Sequence, residues 1–178
     1  MKPGMTKKRL LVIATAMLIG AKQGHAQPTT PQSAQETVKK SEAQQTAESK
    51  LLILLSKYRS AMEAKSTDRL AELVAPELSV LEGSHKNTGW LDYRDQHIGP
   101  EMKEWKNFRI TDPRISEVNV SGDLGFAVQQ ATYTIVTEKE TLVLDGAETL
   151  IARMSDGDWK LLHIHFSGKK RQKPHESK

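Results

Sequence analysis

The sequence predicts an α+β domain in which two or three helices precede a mainly antiparallel sheet. Apolar residues recur at helical spacing in its first part, where Leu51, Leu55, Tyr58 and Met62 form one stripe. In the C-terminal half, strand-like segments alternate with short turns. The strongest strand signal is the segment 159–167, WKLLHIHFS, which is apolar on both faces. Such a strand is covered on both sides, so the domain is built around it.

The first 26 residues have the pattern of a secretory signal. Basic residues and no acid precede an apolar run over residues 10–21, and the small residues Gly24 and Ala26 precede Gln27. Twelve residues are too few to span a bilayer. We therefore expect cleavage before Gln27 and a periplasmic or secreted protein with no membrane span afterwards. An uncleaved anchor is the alternative.

Charge is concentrated at the two ends of the chain. The formal net charge of +4 becomes −1 once the five basic residues of segment 1–26 are removed, and the tail 169–178 is basic as well. The remaining body is mildly acidic, which argues against a nucleic-acid surface. The chain contains no cysteine, so disulfides, thiolate catalysis and cysteine-ligated metals are excluded.

Composition divides the mature chain into three parts. Residues 27–49 are rich in Gln, Ser, Thr and Ala, which predicts a flexible linker. Residues 50–168 carry the periodic apolar patterns and form the domain. Residues 169–178 are predicted to be a disordered basic tail.

A second helix and a short strand follow the first helix. Ser66 or Thr67 can cap the second helix, which carries Leu70, Leu73 and Val74 and ends at Pro76. The strand over residues 78–82 turns Leu78, Val80 and Glu82 to one side. A carboxylate is an unusual side chain on an inward face.

A polar loop over residues 83–89 leads into a short helix over residues 90–97, where Trp90, Tyr93 and His97 share a face. Gly99 and Pro100 are expected to end that helix. Turns are predicted in the sheet at 112–113, 122–123, 138–139, 145–146 and 156–157.

Two stretches of the chain resemble the nuclear transport factor 2-like superfamily. Residues 57–82, KYRSAMEAKSTDRLAELVAPELSVLE, are similar to the opening helices and first strand of ketosteroid isomerases. Residues 147–168, AETLIARMSDGDWKLLHIHFSG, are similar to the closing hairpin of the association domain of calcium/calmodulin-dependent kinase. The resemblance covers about residues 50–168. It implies a cone-shaped fold with helices packed on a curved sheet, one pocket between them, and a homodimer through the outer sheet face.

The same resemblance implies roles for individual residues. Tyr58 matches the oxyanion-hole tyrosine of the isomerases, and Glu82 matches their carboxylate base. Their second donor, a protonated acid, falls near Thr149 and Leu150, neither of which is an acid. Losing one such donor commonly costs about 100-fold or more in rate. The resemblance also points His163 and His165 into the pocket, together with Ser167.

Glu82 has two interpretations. A buried carboxylate that lacks a partner has a raised pKa, as a general base near neutral pH requires. Alternatively, Glu82 is hydrogen-bonded to a tyrosine or histidine as a structural pair.

The histidines also have two interpretations. His163 and His165 are two residues apart on one strand, close enough to bind one ion, and His97 with Glu82 would complete a set of ligands. Alternatively, they are partners in a polar network that binds an organic ligand. The metal and any cofactor stay undetermined at this point.

Aromatic residues near the loop are candidates for the ligand-binding wall. Trp90 and Tyr93 flank the polar loop and share a face with His97, so they are either pocket lid or core. Trp105 and Trp159 are expected to be core.

The sequence thus favours an exported protein that binds a small, partly apolar molecule. Two alternatives stay open: an isomerase or lyase with Glu82 as base and Tyr58 as donor, or a homo-oligomeric assembly module. Fold alone does not decide among these functions.

The first prediction concerns export. We expect the mature protein to be soluble and to begin at Gln27, because residues 1–26 combine a basic start, a short apolar run and a small-residue cleavage site. The intact mass of the protein purified from the periplasm measures this directly. Recovery of the chain with Met1 in a membrane fraction would contradict the prediction.

Overall fold

The first layer of the fold is helical. The computed structural model describes residues 40–171, and the predicted signal, most of the linker and the last seven residues lie outside that range. Helix α1 spans Glu42–Glu63, and the Ser41 side chain caps it by accepting from the Gln44 backbone N–H. The predicted stripe Leu51, Leu55 and Tyr58 is buried along α1. The helix therefore begins inside the segment that composition predicted to be linker.

Helix α2, Thr67–Ala71, is shorter than predicted. Ser66 caps it, as expected, by accepting from the Arg69 backbone N–H. Val74 is the first residue of strand β1, Val74–Glu82, and is paired with Leu161 of the closing strand. Val74, a β-branched residue that the helical pattern assigned to the second helix, thus belongs to a strand.

The sheet has six strands in the order β2-β1-β6-β5-β4-β3. Strand β2 spans His85–Thr88 and pairs antiparallel with β1, so the predicted polar loop contains a short strand. Strands β3, Asn107–Ser121, β4, Leu124–Val136, β5, Thr141–Ser155, and β6, Asp158–Lys170, form an antiparallel meander. Only the pairing of β1 with β6 is parallel in the part of the chain that the structure describes. The predicted α+β class with a mainly antiparallel sheet is confirmed.

Three consecutive helical segments connect β2 to β3. Helix α3, Trp90–Tyr93, continues as a π-helical turn, Arg94–Ile98, and then as α4, Gly99–Glu104. The predicted break at Gly99 and Pro100 is therefore wrong. Pro100 is the second residue of α4 and follows the π-helical turn directly.

One predicted turn, at residues 145–146, lies inside β5, where Asp145 pairs with Thr132. Gly146 is needed there for packing, because a Cβ atom on it would lie 2.7 Å from ring carbons of both Phe166 and Tyr133. A second predicted bend, at residues 112–113, is a bulge within β3, where Asp112 has a φ of 53°.

A bulge also interrupts β6. Leu161 pairs with Ala152 and His163 pairs with Ile151, so Leu162 has no partner on β5. The inserted residue reverses the alternation of side chains. Trp159 and Leu161 before the bulge, and Ile164 after it, are all buried on the inner face of the sheet. The core lies between this face and the helices.

No helix among residues 40–171 is long and apolar enough to cross a membrane.

Candidate functional site

A cavity of about 60 Å³ lies between the helices and the inner face of the sheet. One water needs about 10–15 Å³ by this measure, so the cavity has room for only a few atoms in the present conformation. Helices α1, α3 and α4 and strands β1, β3, β4, β5 and β6 contribute to its wall. The residues that line it are Tyr58, Met62, Val80, Glu82, Tyr93, Ile98, Glu101, Trp105, Phe108, Tyr133, Ile135, Leu144, Glu148, Ile164 and Phe166.

The inner end of the cavity is built around Glu148. Alternation along β5 turns this residue inward with Leu150 and Ala152, and its side chain is only 4% exposed. The Tyr58 hydroxyl lies 3.5 Å from Oε1 of Glu148, and the side-chain amide of Gln129 donates to Oε2. Burial raises the pKa of Glu148, and the neighbouring side chains of Gln129, Tyr133 and Tyr58 oppose that shift only in part. Glu148 is therefore a carboxyl that tends to keep its proton.

Three tyrosines surround the same space. Burial and the neighbouring carboxylates raise the pKa of Tyr58, Tyr93 and Tyr133 well above the ordinary value. Each hydroxyl consequently stays protonated and can donate a hydrogen bond. The Tyr133 hydroxyl is buried and lies in the electrostatic reach of Glu148, but no atom of the described chain meets hydrogen-bond geometry with it. A buried polar group of this kind is costly until an acceptor or donor reaches it.

The outer end of the cavity carries two carboxylates and one imidazole. Nε2 of His97 lies 3.3 Å from Oε2 of Glu82 and 3.5 Å from Oε1 of Glu101. The His97 side chain is 9% exposed, whereas those of Glu82 and Glu101 are 42% and 46% exposed. Glu82 is thus half exposed and held beside an imidazole, which differs from the buried carboxylate that the strand pattern predicted.

Hydrogen bonds on the far side of His97 fix its tautomer. The Asn87 amide donates to the Asp92 carboxylate at 3.1 Å, so its carbonyl oxygen faces Nδ1 of His97 at 2.7 Å. A carbonyl only accepts, so Nδ1 carries a proton. Nε2 is then the nitrogen that faces the two carboxylates.

Glu101 is affected by burial and by neighbouring carboxylates. Partial burial, followed by the charges of Glu82 and Glu104, raises the pKa of Glu101 to about 7. The cavity therefore has a buried carboxyl group with a raised pKa at its inner end and two half-exposed carboxyl groups at its outer end. Carboxyl groups held in different environments within one cavity are the usual basis of acid–base chemistry.

Some of the predicted site residues line the cavity, and others lie outside it. Tyr58, Glu82 and Tyr93 line the cavity, and His97 contacts Glu82 beside it. Trp90 is 8% exposed and packs edge-on against Tyr93 with ring centroids 6.3 Å apart, outside the lining. Trp90 is therefore a core residue behind the wall.

His163 and His165 lie on the opposite face of β6, so their predicted position inside the pocket is wrong. The bulge at Leu162 reverses the side-chain alternation that had placed them with Trp159. Nδ1 of His163 lies 2.9 Å from the Ser79 hydroxyl on β1. Burial, followed by the charge of His165, lowers the pKa of His163. The predicted set of these two histidines with Glu82 and His97 does not form, and residues 40–171 hold no trio of His, Asp or Glu arranged to bind a metal.

Sequence reasoning missed Glu148, Gln129 and Tyr133. The resemblance placed the second donor near Thr149 and Leu150, and Glu148 is the residue directly before them. Strand parity could have found it, because Glu148 alternates with the apolar residues Leu150 and Ala152. The turn predicted at residues 145–146, just before Glu148, concealed that pattern.

Comparisons with known proteins agree with this architecture. A family model described as the SnoaL-like domain matches residues 52–169. No curated protein matches the sequence. Among solved structures, a nuclear transport factor 2-like superfamily protein from Salmonella enterica is 17% identical, with a TM-score of 0.62 over 75% of this chain and 99% of its own.

Two further structures are similar to this chain. A proposed ketosteroid isomerase from Shewanella frigidimarina is 20% identical, with a TM-score of 0.58 over 65% of this chain and 92% of its own. A proposed dehydratase of the nuclear transport factor 2-like family from Streptomyces avermitilis is 16% identical, with a TM-score of 0.62 over 70% and 97%. At these identities the likeness shows a common fold.

The second prediction concerns the proton on Glu148. Its folded pKa is raised, so the stability that protonation contributes is complete below the ordinary value of 4.5 and is lost as the pH rises towards the folded value. The variant Glu148→Gln carries a neutral amide at every pH. We expect it to gain stability relative to the unaltered protein as the pH increases above 4.5.

Urea unfolding of both proteins across a pH series measures this difference. The exposed Glu117→Gln on β3 is the matched control and should show no such trend. A stability difference between Glu148→Gln and the unaltered protein that stays constant with pH, or falls as the pH rises, would contradict a protonated Glu148.

Proposed function

We propose that this chain, which belongs to the SnoaL-like domain family, is an exported protein that binds a small, partly apolar carbonyl compound. We propose further that it catalyses proton transfer on that compound, as an isomerase or lyase does. The support is the position of hydrogen-bond donors and a carboxylate at opposite ends of one cavity.

A single observation carries this proposal: Glu148 lies beside Tyr58. The sequence had suggested that the second donor for a developing oxyanion was absent. The Tyr58 hydroxyl is 3.5 Å from the Glu148 carboxyl, and both line the cavity. Two neutral donors aimed at one point suit a carbonyl oxygen that gains negative charge, and each such donor is commonly worth about 100-fold or more in rate.

The reaction follows from these positions. A carbonyl oxygen accepts hydrogen bonds from Tyr58 and Glu148, and the unpartnered Tyr133 hydroxyl can supply a third. Glu82 removes a proton from the carbon next to the carbonyl, and the C–H electron pair forms an enolate whose oxygen is held by the donors. In a substrate with a C=C bond next to the deprotonated carbon, return of the proton to the far carbon of that bond, with a shift of the double bond, gives isomerisation. Loss of a leaving group from the next carbon gives elimination.

His97 lies beside Glu82 at the outer end of the cavity. Its imidazole lies 3.3 Å from Glu82 and is oriented by Asn87. The Glu101 carboxyl contacts the same nitrogen of His97 and is half-exposed. Because its pKa is raised to about 7, it can exchange the proton taken from the substrate with water.

Two of the structural neighbours bear names of compatible reactions. One is described as a proposed ketosteroid isomerase and one as a proposed dehydratase. Both reaction types involve transfer of a proton at carbon, so these names support the class of chemistry that we propose. The small cavity argues for a substrate much smaller than a steroid.

A second candidate function is homo-oligomeric assembly, favoured by an apolar hollow on the outer face of the sheet. The hollow has a volume of about 340 Å³ and is lined by Leu124, Phe126 and Ile151 among others. Leu124 is 46% exposed. Exposed apolar surface of this kind is typical of an interface, and we propose that a second copy of the chain covers it.

The third prediction tests catalysis without a known substrate. We expect the purified protein to catalyse exchange of the protons next to the carbonyl of small ketones, such as acetone, butanone and cyclopentenone, in deuterated water. Glu82→Gln should abolish the exchange because it removes the base. Tyr58→Phe and Glu148→Ala should each slow it by about 100-fold, because each removes one donor.

Proton NMR follows the loss of the ketone signal, with Glu117→Gln as the control for loss of one exposed carboxylate. Exchange at the rate of buffer alone, or exchange that persists in Glu82→Gln, would refute the proposed chemistry. Binding of a ketone without exchange would leave only the ligand-binding part of the proposal.

The fourth prediction concerns assembly. We expect the mature protein to sediment as a dimer in analytical ultracentrifugation, and Ile151→Lys to sediment as a monomer because it places a charge in the apolar hollow. Leu91→Lys, on α3, is the control, since Leu91 is 61% exposed and lies outside the hollow. A monomeric unaltered protein, or a dimer that survives Ile151→Lys, would exclude this surface as the interface.

A further inference from the structure

A line of four polar side chains runs from α1 through the sheet and back to α1. Nη1 of Arg59 donates to Oε1 of Gln129 at 2.9 Å, and Nε2 of Gln129 donates to Oε2 of Glu148. The other oxygen of Glu148 faces the hydroxyl of Tyr58 at 3.5 Å. Gln129 is completely buried, and Glu148 is almost so. Adjacent residues of one helix, Tyr58 and Arg59, thus hold both ends of the line.

The direction of every hydrogen bond in this line is set by Arg59. A guanidinium group donates and cannot accept, so the atom of Gln129 that faces it must be the carbonyl oxygen. The amide nitrogen of Gln129 then has to face Glu148. This fixes an amide orientation that distance alone would not distinguish.

The amide orientation decides which oxygen of Glu148 can carry the proton. Oε2 accepts from Gln129, so a hydrogen on that oxygen would oppose the N–H that points at it. The proton of the neutral carboxyl therefore lies on Oε1, the oxygen that faces Tyr58 and the cavity. The Tyr58 hydroxyl also donates to Oε1, but at 3.5 Å this contact is long for an O–H···O hydrogen bond and opposes a hydrogen there less than the Gln129 amide does on Oε2. The proton on Oε1 therefore remains available to a ligand.

We propose that Arg59 is a positioning residue which, acting through Gln129, holds the Glu148 carboxyl with its hydrogen on Oε1, facing the cavity. Neither Arg59 nor Gln129 lines the cavity, so both act through Glu148. Without Arg59, the Gln129 amide is free to turn its carbonyl towards Glu148. The carboxyl would then donate to Gln129, and its proton would point away from the cavity.

The catalytic purpose of this arrangement rests on the proposed function, whereas the position of the proton does not. The charged and titratable groups that act on Glu148 are Tyr58 and Arg59 from α1 and Tyr133 from β4. Tyr58 and Tyr133 stay neutral, since burial raises the pKa of both. Arg59 is therefore the charged member of the group.

The test is the infrared carbonyl band of protonated Glu148, which is identified as the band that Glu148→Gln lacks. At mildly acidic pH, we expect one band in the unaltered protein, because the carboxyl has one orientation of its proton. Arg59→Gln should give two bands or one at a new frequency, because a neutral amide both donates and accepts and no longer orients Gln129. Arg59→Lys should restore the single band, since an ammonium group also only donates.

A second variant shifts the proton in a known direction. Gln129→Glu places a carboxylate between Arg59 and Glu148, and this carboxylate can only accept from the neutral Glu148. The proton of Glu148 should move to Oε2, and its carbonyl band should shift. Lys57→Gln, which removes a charge one residue before Tyr58 on α1, is the matched control and should leave the band unchanged.

Ketone exchange separates the two proposals. We expect Arg59→Gln and Gln129→Glu to lose about tenfold or more in exchange rate, as for a lost hydrogen bond to a charged group, and Arg59→Lys to keep the rate. If the band changes as described while the unaltered protein shows no exchange, the positioning role stands and the proposed function fails. An unchanged band in both Arg59→Gln and Gln129→Glu would overturn the positioning role and leave Arg59 as a structural partner of Gln129.

Discussion

One unpaired residue in the closing strand β6 determines which of its side chains face the cavity and which face outward. Leu162 has no partner on β5, so side chains before and after it change their parity. Without that bulge, a strand with Trp159 and Leu161 on the inner face would also turn His163 inward. With the bulge, the apolar residues Ile164 and Phe166 continue the inner face, and the cavity has an apolar wall on this side. The histidines lie against β1 on the outside, where His163 meets Ser79.

The polar groups of the cavity are consequently supplied by other elements. Glu148 comes from β5, Tyr58 from α1 and Glu82 from the end of β1. Burial separates the carboxyls into two kinds, because Glu148 is almost completely enclosed while Glu82 is 42% exposed beside His97. Burial raises the pKa of the enclosed Glu148. Water reaches Glu82, which lies beside an imidazole, so the two ends of the cavity differ in environment although both contain glutamate.

The size of the cavity limits the compounds that can enter it. Aromatic side chains fill much of the space, and Tyr133 and Phe166 rest against the backbone of Gly146 so closely that a Cβ atom would collide with both rings. A volume of about 60 Å³ suits a compound of a few non-hydrogen atoms. The apolar hollow on the outer face is larger and contains no carboxyl group, so a protein contact suits it better than a reactive ligand.

The sequence by itself determined the class of the fold and the elements whose signals are local. The buried stripe of α1, the Ser66 cap and the turns at residues 122–123, 138–139 and 156–157 depend on neighbouring residues, and the structure has all of them. Strand parity also placed Glu82 on the same cavity as Tyr58, because no bulge separates Glu82 from the buried Leu78 and Val80.

Only the tertiary structure decided the rest of the site. The bulge at Leu162 depends on how β6 pairs with two neighbours at once, and no local pattern encodes that choice. Gly146 resembled a turn residue, but it lies within β5 because two aromatic rings from other strands need its missing side chain. The role of Glu148 depends on contacts with Tyr58 and Gln129, which are 90 and 19 residues away in the chain. Burial and the contacts across the sheet arise only when these segments pack together, and they raise the pKa of that carboxyl and hold its side chain in place.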